Sequence, residues 1–191
     1  MDIDFLKSEL LTKPVSRVIN QYILTENAVC FNGNIDLILE LKEILSNHFN
    51  IPVKDIEIVG SAKLGISLSY DRFGKKYDDK SDIDLVLISS ELFDKAWHEL
   101  LKLEHKYHQL TIKERDFLED CYSTIYRGFI SPEKFPAKTD FFKYWWTIFS
   151  KLSKDKNYEY RKIRGRLFKN WWFVEKYYSI NLKKIIQTKG V

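Results

Sequence analysis

Residues 83–88 read Ile-Asp-Leu-Val-Leu-Ile, an almost unbroken apolar run closed by Ser89-Ser90. A run this short and this apolar predicts a central strand buried on both faces. Such a strand needs a covering layer on each side, and helices supply it. The chain is therefore expected to adopt an α/β fold, a small mixed sheet flanked by helices, with helical cover from the C-terminal region.

The rest of the chain supplies those layers. Short apolar runs broken at Pro14 predict two short helices, and Asn32-Gly33-Asn34 is a turn signal. Ile38, Leu41, Leu45 and Phe49 recur at three- and four-residue spacing and predict a helix closed by Pro52. Ile56-Glu57-Ile58-Val59 reads as a strand ending at Gly60, and residues 61–81 as a long loop or hairpin. Ser89 or Ser90 caps a predicted helix from Glu91 to His108, with Phe93, Trp97, Leu100 and Leu101 along one side. A second helix is expected over Lys113–Phe129, then a loop over 131–136 and an aromatic helix over Phe141–Leu152. Tyr158–Phe168 alternates as a strand, and a helix follows from Trp171. Trp145-Trp146 reads as a core residue and a half-exposed neighbour, and Trp171, Trp172 and Tyr177 as packing residues.

With 191 residues, 45% of them hydrophobic and 30% charged, the chain can bury a core, and residues 1–191 are read as one domain. Cys30 and Cys121 are too few for a disulfide framework and are expected as thiols in a reducing compartment. The Met1-Asp2-Ile3-Asp4 start lacks a basic, apolar leader, and no run is long and apolar enough to span a bilayer, so a cytoplasmic location without membrane contact is expected. Charge is uneven. The basic, aromatic segment 151–191 holds 12 Lys and Arg against 3 acids, a net of +9, while the other 150 residues net −5. This points to a polyanion near the C-terminal segment or to a solvated basic helix face.

The chemistry concentrates at Val59-Gly60-Ser61 and Ser81-Asp82-Ile83-Asp84-Leu85. Residues two apart on a strand share a side, so Asp82 and Asp84 project together from the start of a buried strand. Two adjacent carboxylates beside an apolar core repel each other, and a divalent cation such as Mg²⁺ or Mn²⁺ satisfies both. A Gly-Ser pair at a strand end presents backbone N–H groups and a hydroxyl to a phosphate, and glycine lets the backbone approach closely. Phosphate on one side and metal on the other is the minimal arrangement for phosphoryl or nucleotidyl transfer.

At these residues, VGSAKLGISLS and KSDIDLVLIS, the chain resembles the DNA polymerase beta-like nucleotidyltransferase superfamily over about residues 56–90. The resemblance implies that fold, with Gly60 and Ser61 on a nucleoside triphosphate and Asp82 and Asp84 on Mg²⁺. Active members add a third carboxylate on a later strand. Here the best candidate is Glu159, within Tyr158-Glu159-Tyr160, with Asp140 as second choice. Lys63 sits beside the phosphate turn, either as a point charge for phosphate or as a solvent-exposed loop lysine. Arg164 and Arg166, alternate residues of one strand, could clamp a triphosphate or an acceptor strand.

Two functions follow. In the first, the chain transfers a nucleotidyl group from a nucleoside triphosphate to a hydroxyl on RNA, protein or a small molecule. In the second, it binds nucleotide, RNA or a protein partner through the basic C-terminal segment without turnover. Glu104-His105 with His108 reads as a solvated helix face rather than a metal site, and no zinc site or Ser-His-Asp grouping is indicated.

Overall fold

The computed structural model describes residues 1–135 and 139–189, the last of these by its backbone. Its centre is a four-stranded mixed sheet in the order β1-β2-β4-β3, formed by Ile56–Val59 (β1), Ile83–Ile88 (β2), Phe129–Ile130 (β3) and Ile163–Phe168 (β4). β1 runs antiparallel to β2, β2 parallel to β4, and β3 antiparallel to β4. The described residues include eight α-helices: Ile3–Thr12 (α1), Val15–Val18 (α2), Ile35–Phe49 (α3), Ser61–Leu64 (α4), Ser90–Glu104 (α5), Ile112–Tyr126 (α6), Asp140–Leu152 (α7) and Trp171–Lys189 (α8). α2 continues as a π-helical segment, Ile19–Thr25. None of these helices is long and apolar enough to cross a membrane.

The α/β reading of β2 holds, because each face of the sheet carries its own core. Ile83, Leu85 and Leu87 pack with residues of α3, α5, α6 and α7. Val86 and Ile88 pack with residues of α1, the π-helical segment and α8. Polar caps set the helix starts. The Asn34 side chain accepts the Leu37 N–H at 3.2 Å, the Ser89 hydroxyl accepts that of Leu92 at 3.2 Å, and Thr111 and Glu114 form a reciprocal capping box.

Three boundaries differ from expectation. The helix expected to reach His108 ends at Glu104, before a 3₁₀ turn over Tyr107–Gln109, so Glu104, His105 and His108 do not share one helix. The helix expected to reach Phe129 ends at Tyr126. Gly128 takes φ +71°, and Phe129–Ile130 leave to pair with Phe168 and Leu167. The strand expected from Tyr158 starts only at Ile163, because Glu159 and Tyr160 adopt left-handed φ values of 57° and 54°.

Gly165 faces the α7 side of β4. A Cβ there would lie 2.4 Å from Phe149 Cζ and 2.6 Å from Trp145 Cζ2, on rings that are themselves buried. Gly165→Ala is expected to cost about 2 kcal/mol, the range of overpacking in a dense core. Urea denaturation measures it, and a midpoint equal to wild type would show that the two rings give way freely.

Candidate active site

Asp84 is the second residue of β2 and stands opposite Val59 of β1 and Arg164 of β4. It lies on the α8 side of the sheet, like Val86 and Ile88, but at the strand's opening end, where β4 contributes Arg164 and Arg166. The far half of this face is therefore apolar and filled, and the near half is charged and open. A cleft of about 470 Å³ occupies that half, between α8, the end of β1 and the segment 67–82.

Gly60, Ser61, Asp82, Asp84, Arg164 and Arg166 all line this cleft. Gly60 has φ +67° and ψ −145°, backbone geometry that only glycine adopts readily, and a Cβ there would stand 3.6 Å from Asp84 Oδ2. The turn and the carboxylate thus face each other closely. Segment 65–77 folds back on itself, with Ser67 N–H donating to the Lys75 carbonyl at 2.8 Å and Gly74 N–H to Ser67 at 2.9 Å. It brings Arg72, Lys75 and Lys76 to the cleft, and Lys80 joins them from the stretch that follows, cations that local sequence patterning does not single out.

Charges in the cleft are partly paired. Arg164 Nη2 donates to Asp82 Oδ2 at 3.0 Å, and Arg164 Nε lies 3.9 Å from Glu133 Oε2. The Arg166 guanidinium lies over the Tyr177 ring at 4.8 Å and the Phe129 ring at 5.3 Å. The Nε atoms of both arginines are buried without a hydrogen-bond partner, an unsatisfied donor on each. Asp84 keeps part of its side chain in contact with water, yet the protein around it raises its carboxyl above the ordinary value. Arg166 and Arg164 pull the other way, less strongly than burial pushes.

Two predicted site residues lie elsewhere. Lys63 does not line the cleft. Its ammonium turns inward, 3% exposed, and donates to Glu57 Oε1 at 2.6 Å, while Lys42 holds Glu57 Oε2 at 2.9 Å. β1 places Glu57 beside α4, and that carboxylate captures the lysine. It is thus not a solvent-exposed loop residue, and its ammonium is engaged by Glu57 rather than turned to the cleft.

Glu159, expected as the third carboxylate, also stands apart from the cleft. It sits in an irregular turn, off any strand and outside the cleft lining. Its carboxylate takes Arg161 Nε at 2.7 Å, and Arg161 Nη1 donates to the carbonyls of Asp78 at 2.5 Å and Ser81 at 3.4 Å. Glu159 therefore braces the segment that delivers Asp82. Asp140, the second choice, lies exposed in the first turn of α7, paired with Lys143 at 3.2 Å.

The carboxylate missed by sequence reasoning is Glu133, on a 3₁₀ turn (Pro132–Lys134) just after β3. β3 is two residues long and its first residue, Phe129, falls at the end of the expected helix Lys113–Phe129, so no periodicity marks the turn as cleft-lining. Cys30 and Cys121 are buried free thiols, both pushed up to about 12 by burial, and take no part in the site.

Comparison with protein-family models, with curated proteins and with solved structures finds no match to this chain.

Proposed function

We propose that the chain has the nucleotidyltransferase fold and transfers a nucleotidyl group from a nucleoside triphosphate to an acceptor hydroxyl in this cleft. One observation carries the reading: the Gly60-Ser61 turn, the Asp82–Asp84 pair and the Arg164–Arg166 pair converge on a single open face. The cleft is roomy enough for a nucleotide, and the two unsatisfied arginine Nε donors suit an anionic ligand. Gly60 and Ser61 would hold phosphate from one side, and the arginines from the other. Arg164 would exchange its bond to Asp82 for a phosphate oxygen. Tyr178, Asn181 and Tyr70 lie toward the α8 end and suit the nucleoside.

Among the described residues no group of three or more His, Cys, Asp or Glu side chains is placed to hold a metal. Two carboxylates, one just before β2 and one within it, fit a Mg²⁺ or Mn²⁺ ion that arrives with phosphate oxygens, because Mg²⁺ commonly takes one or two carboxylates plus substrate. When bound, such an ion supplies charge neutralisation at the phosphates. Asp82 and Asp84 would hold it. The acceptor oxygen bonds to the α-phosphorus as the bond to pyrophosphate breaks, and the hydroxyl proton passes to a carboxylate. Glu133 remains in the cleft once the aspartates are engaged, and we assign it that role.

Metal affinity is then expected to depend on nucleotide. Mn²⁺ titrated into the protein alone should bind about tenfold or more weakly than in the presence of a non-hydrolysable nucleoside triphosphate, an ordinary coupling strength. Electron paramagnetic resonance of free Mn²⁺ reads this directly, and equal affinity in both titrations would count against the shared site.

A second reading keeps the binding and drops the transfer. It is favoured by β4, whose cleft-facing residues are Arg164 and Arg166 where the resemblance calls for a carboxylate on a strand. Incubation with each α-labelled nucleoside triphosphate, Mg²⁺ and cell extract separates the two. Label moved to RNA, protein or a small product supports transfer. Metal-dependent nucleotide binding without transfer supports the second reading.

A further inference from the structure

A second hollow of about 200 Å³ lies on the opposite face of β4, between that strand and α7. It shares Glu133, Arg164 and Gly165 with the cleft, so the two are neighbours across one strand. Its floor is aromatic, made by Trp145 and Phe149, and the absence of a side chain at Gly165 brings those rings up to the backbone. Trp146 stands at the rim, 52% exposed, its ring parallel to that of Phe142 within 9°. Exposing an indole in this way forgoes the gain of burying it, whereas α7 turns Phe141, Trp145 and Phe149 inside.

The polar rim is cationic. Lys154 and Lys162 are exposed, Arg164 leads to the cleft, and Glu133 is the lone carboxylate among the lining residues. Beyond Arg164, the cations Lys75, Lys76 and Lys80 continue on the other side. Cations thus line both cavities, with Arg164 common to the two and an aromatic surface in the hollow. Single-stranded nucleic acid has the complementary pattern: a flat base for the ring and a phosphate for each cation. At about 200 Å³ the hollow has room for one planar group.

We propose that this hollow binds the end of a single-stranded nucleic acid, and that the nucleic acid is the acceptor whose terminal hydroxyl enters the cleft. A base rests against Trp146 over the Phe149 floor, and Lys154 and Lys162 take its flanking phosphates. The acceptor assignment rests on the reading of the cleft given above, while the binding itself does not.

Two measurements on the full chain keep these apart. The first is fluorescence anisotropy with a labelled single-stranded RNA of about ten nucleotides, within the usual range of site sizes. The second is binding of a labelled nucleoside triphosphate with Mg²⁺. Trp146→Ala is expected to weaken RNA binding about tenfold or more, the usual loss for one stacked base, with nucleotide binding unchanged. Lys154→Gln with Lys162→Gln is expected to flatten the dependence of log affinity on log salt by about 0.7 per lost phosphate contact. All three side chains are exposed, and circular dichroism verifies that the variants fold.

RNA binding that is absent in the wild type, or indifferent to these variants, overturns the inference. So does equally tight binding of polyglutamate that ignores Trp146, since that marks a merely basic surface. Loss of nucleotide binding in the wild type alongside Trp146-dependent RNA binding overturns the cleft reading and the acceptor role together, and upholds the hollow as a nucleic-acid site.

Discussion

Replacing Asp82 and Asp84 together by Asn is expected to abolish nucleotidyl transfer, by about three orders of magnitude or more, while the protein stays folded. The magnitude follows from the chemistry. Holding a divalent ion against transferring phosphates contributes several kcal/mol to the transition state, and each 1.4 kcal/mol or so is a factor of ten in rate. Asn keeps the shape of Asp and removes the charge that the ion requires. Turnover undiminished in the double variant would refute the assignment of the pair.

Stability should move the other way in the single variant Asp84→Asn. Burial raises the Asp84 carboxyl, so the folded chain holds this proton more tightly than the unfolded chain does. The contribution of such a group to stability is present at acid pH. It is lost as pH rises through the unfolded value and on through the raised folded one. Near neutral pH the ionised Asp84 therefore opposes folding, and Asn relieves that strain. The gain is expected to be at most about 1 kcal/mol, because the side chain reaches water and screening trims the effect. Thermal melts of the two proteins near pH 7 and near pH 4 test both the sign and its fading with acid. A variant less stable than wild type at neutral pH would show that Arg164 and Arg166 depend on this carboxylate more than burial opposes it.

The largest expected effect on folding lies away from the cleft, at Glu57. Its two oxygens hold Lys63 at 2.6 Å and Lys42 at 2.9 Å, and the Lys63 side chain is almost wholly buried. Glu57→Gln keeps the shape and removes the charge, leaving two ammonium groups together, one of them out of water. Removing one member of a buried pair costs about 3 kcal/mol or more. Lys63→Met is expected to cost less than about 1 kcal/mol, because it removes the buried cation and leaves Glu57 paired with Lys42. Denaturant midpoints of the two variants give the difference. Equal losses would mean that the salt bridge counts for no more than the packing around it.

This triad also shows why the local sequence misplaces Lys63. Beside the Gly60-Ser61 turn, a lysine suits phosphate in every local respect. Glu57 is six residues away, on the strand beneath, and only the packing of α4 against β1 brings the two together. Glu159 errs for a similar reason. Tyr158-Glu159-Tyr160 alternates like a strand, but Tyr158 is drawn into the core against Phe31 at 5.6 Å and the next two residues turn left-handed. Trp172, read as a packing residue, stays 57% exposed with the Lys176 ammonium over its ring at 5.1 Å. Trp171 is anchored as expected, donating its indole N–H to Asp55 at 3.0 Å.

What the amino-acid sequence determined by itself is the part governed by short-range periodicity and backbone chemistry. The apolar run of β2 demanded two covering layers. The two-residue period put Asp82 and Asp84 on one side, and Gly60 marked a turn that a side chain would strain. The spacing of Leu41, Leu45 and Phe49 built α3. Tertiary structure alone decided which charges meet. Glu133 reaches Arg164, Arg161 braces the Asp82 segment, Arg72 and three lysines overhang the cleft, and β3 forms only where β4 offers it an edge. The physical reason is range. Periodicity and φ preference act within a few residues, whereas a salt bridge or a sheet edge depends on groups far apart in the chain whose separation is set only when the core closes.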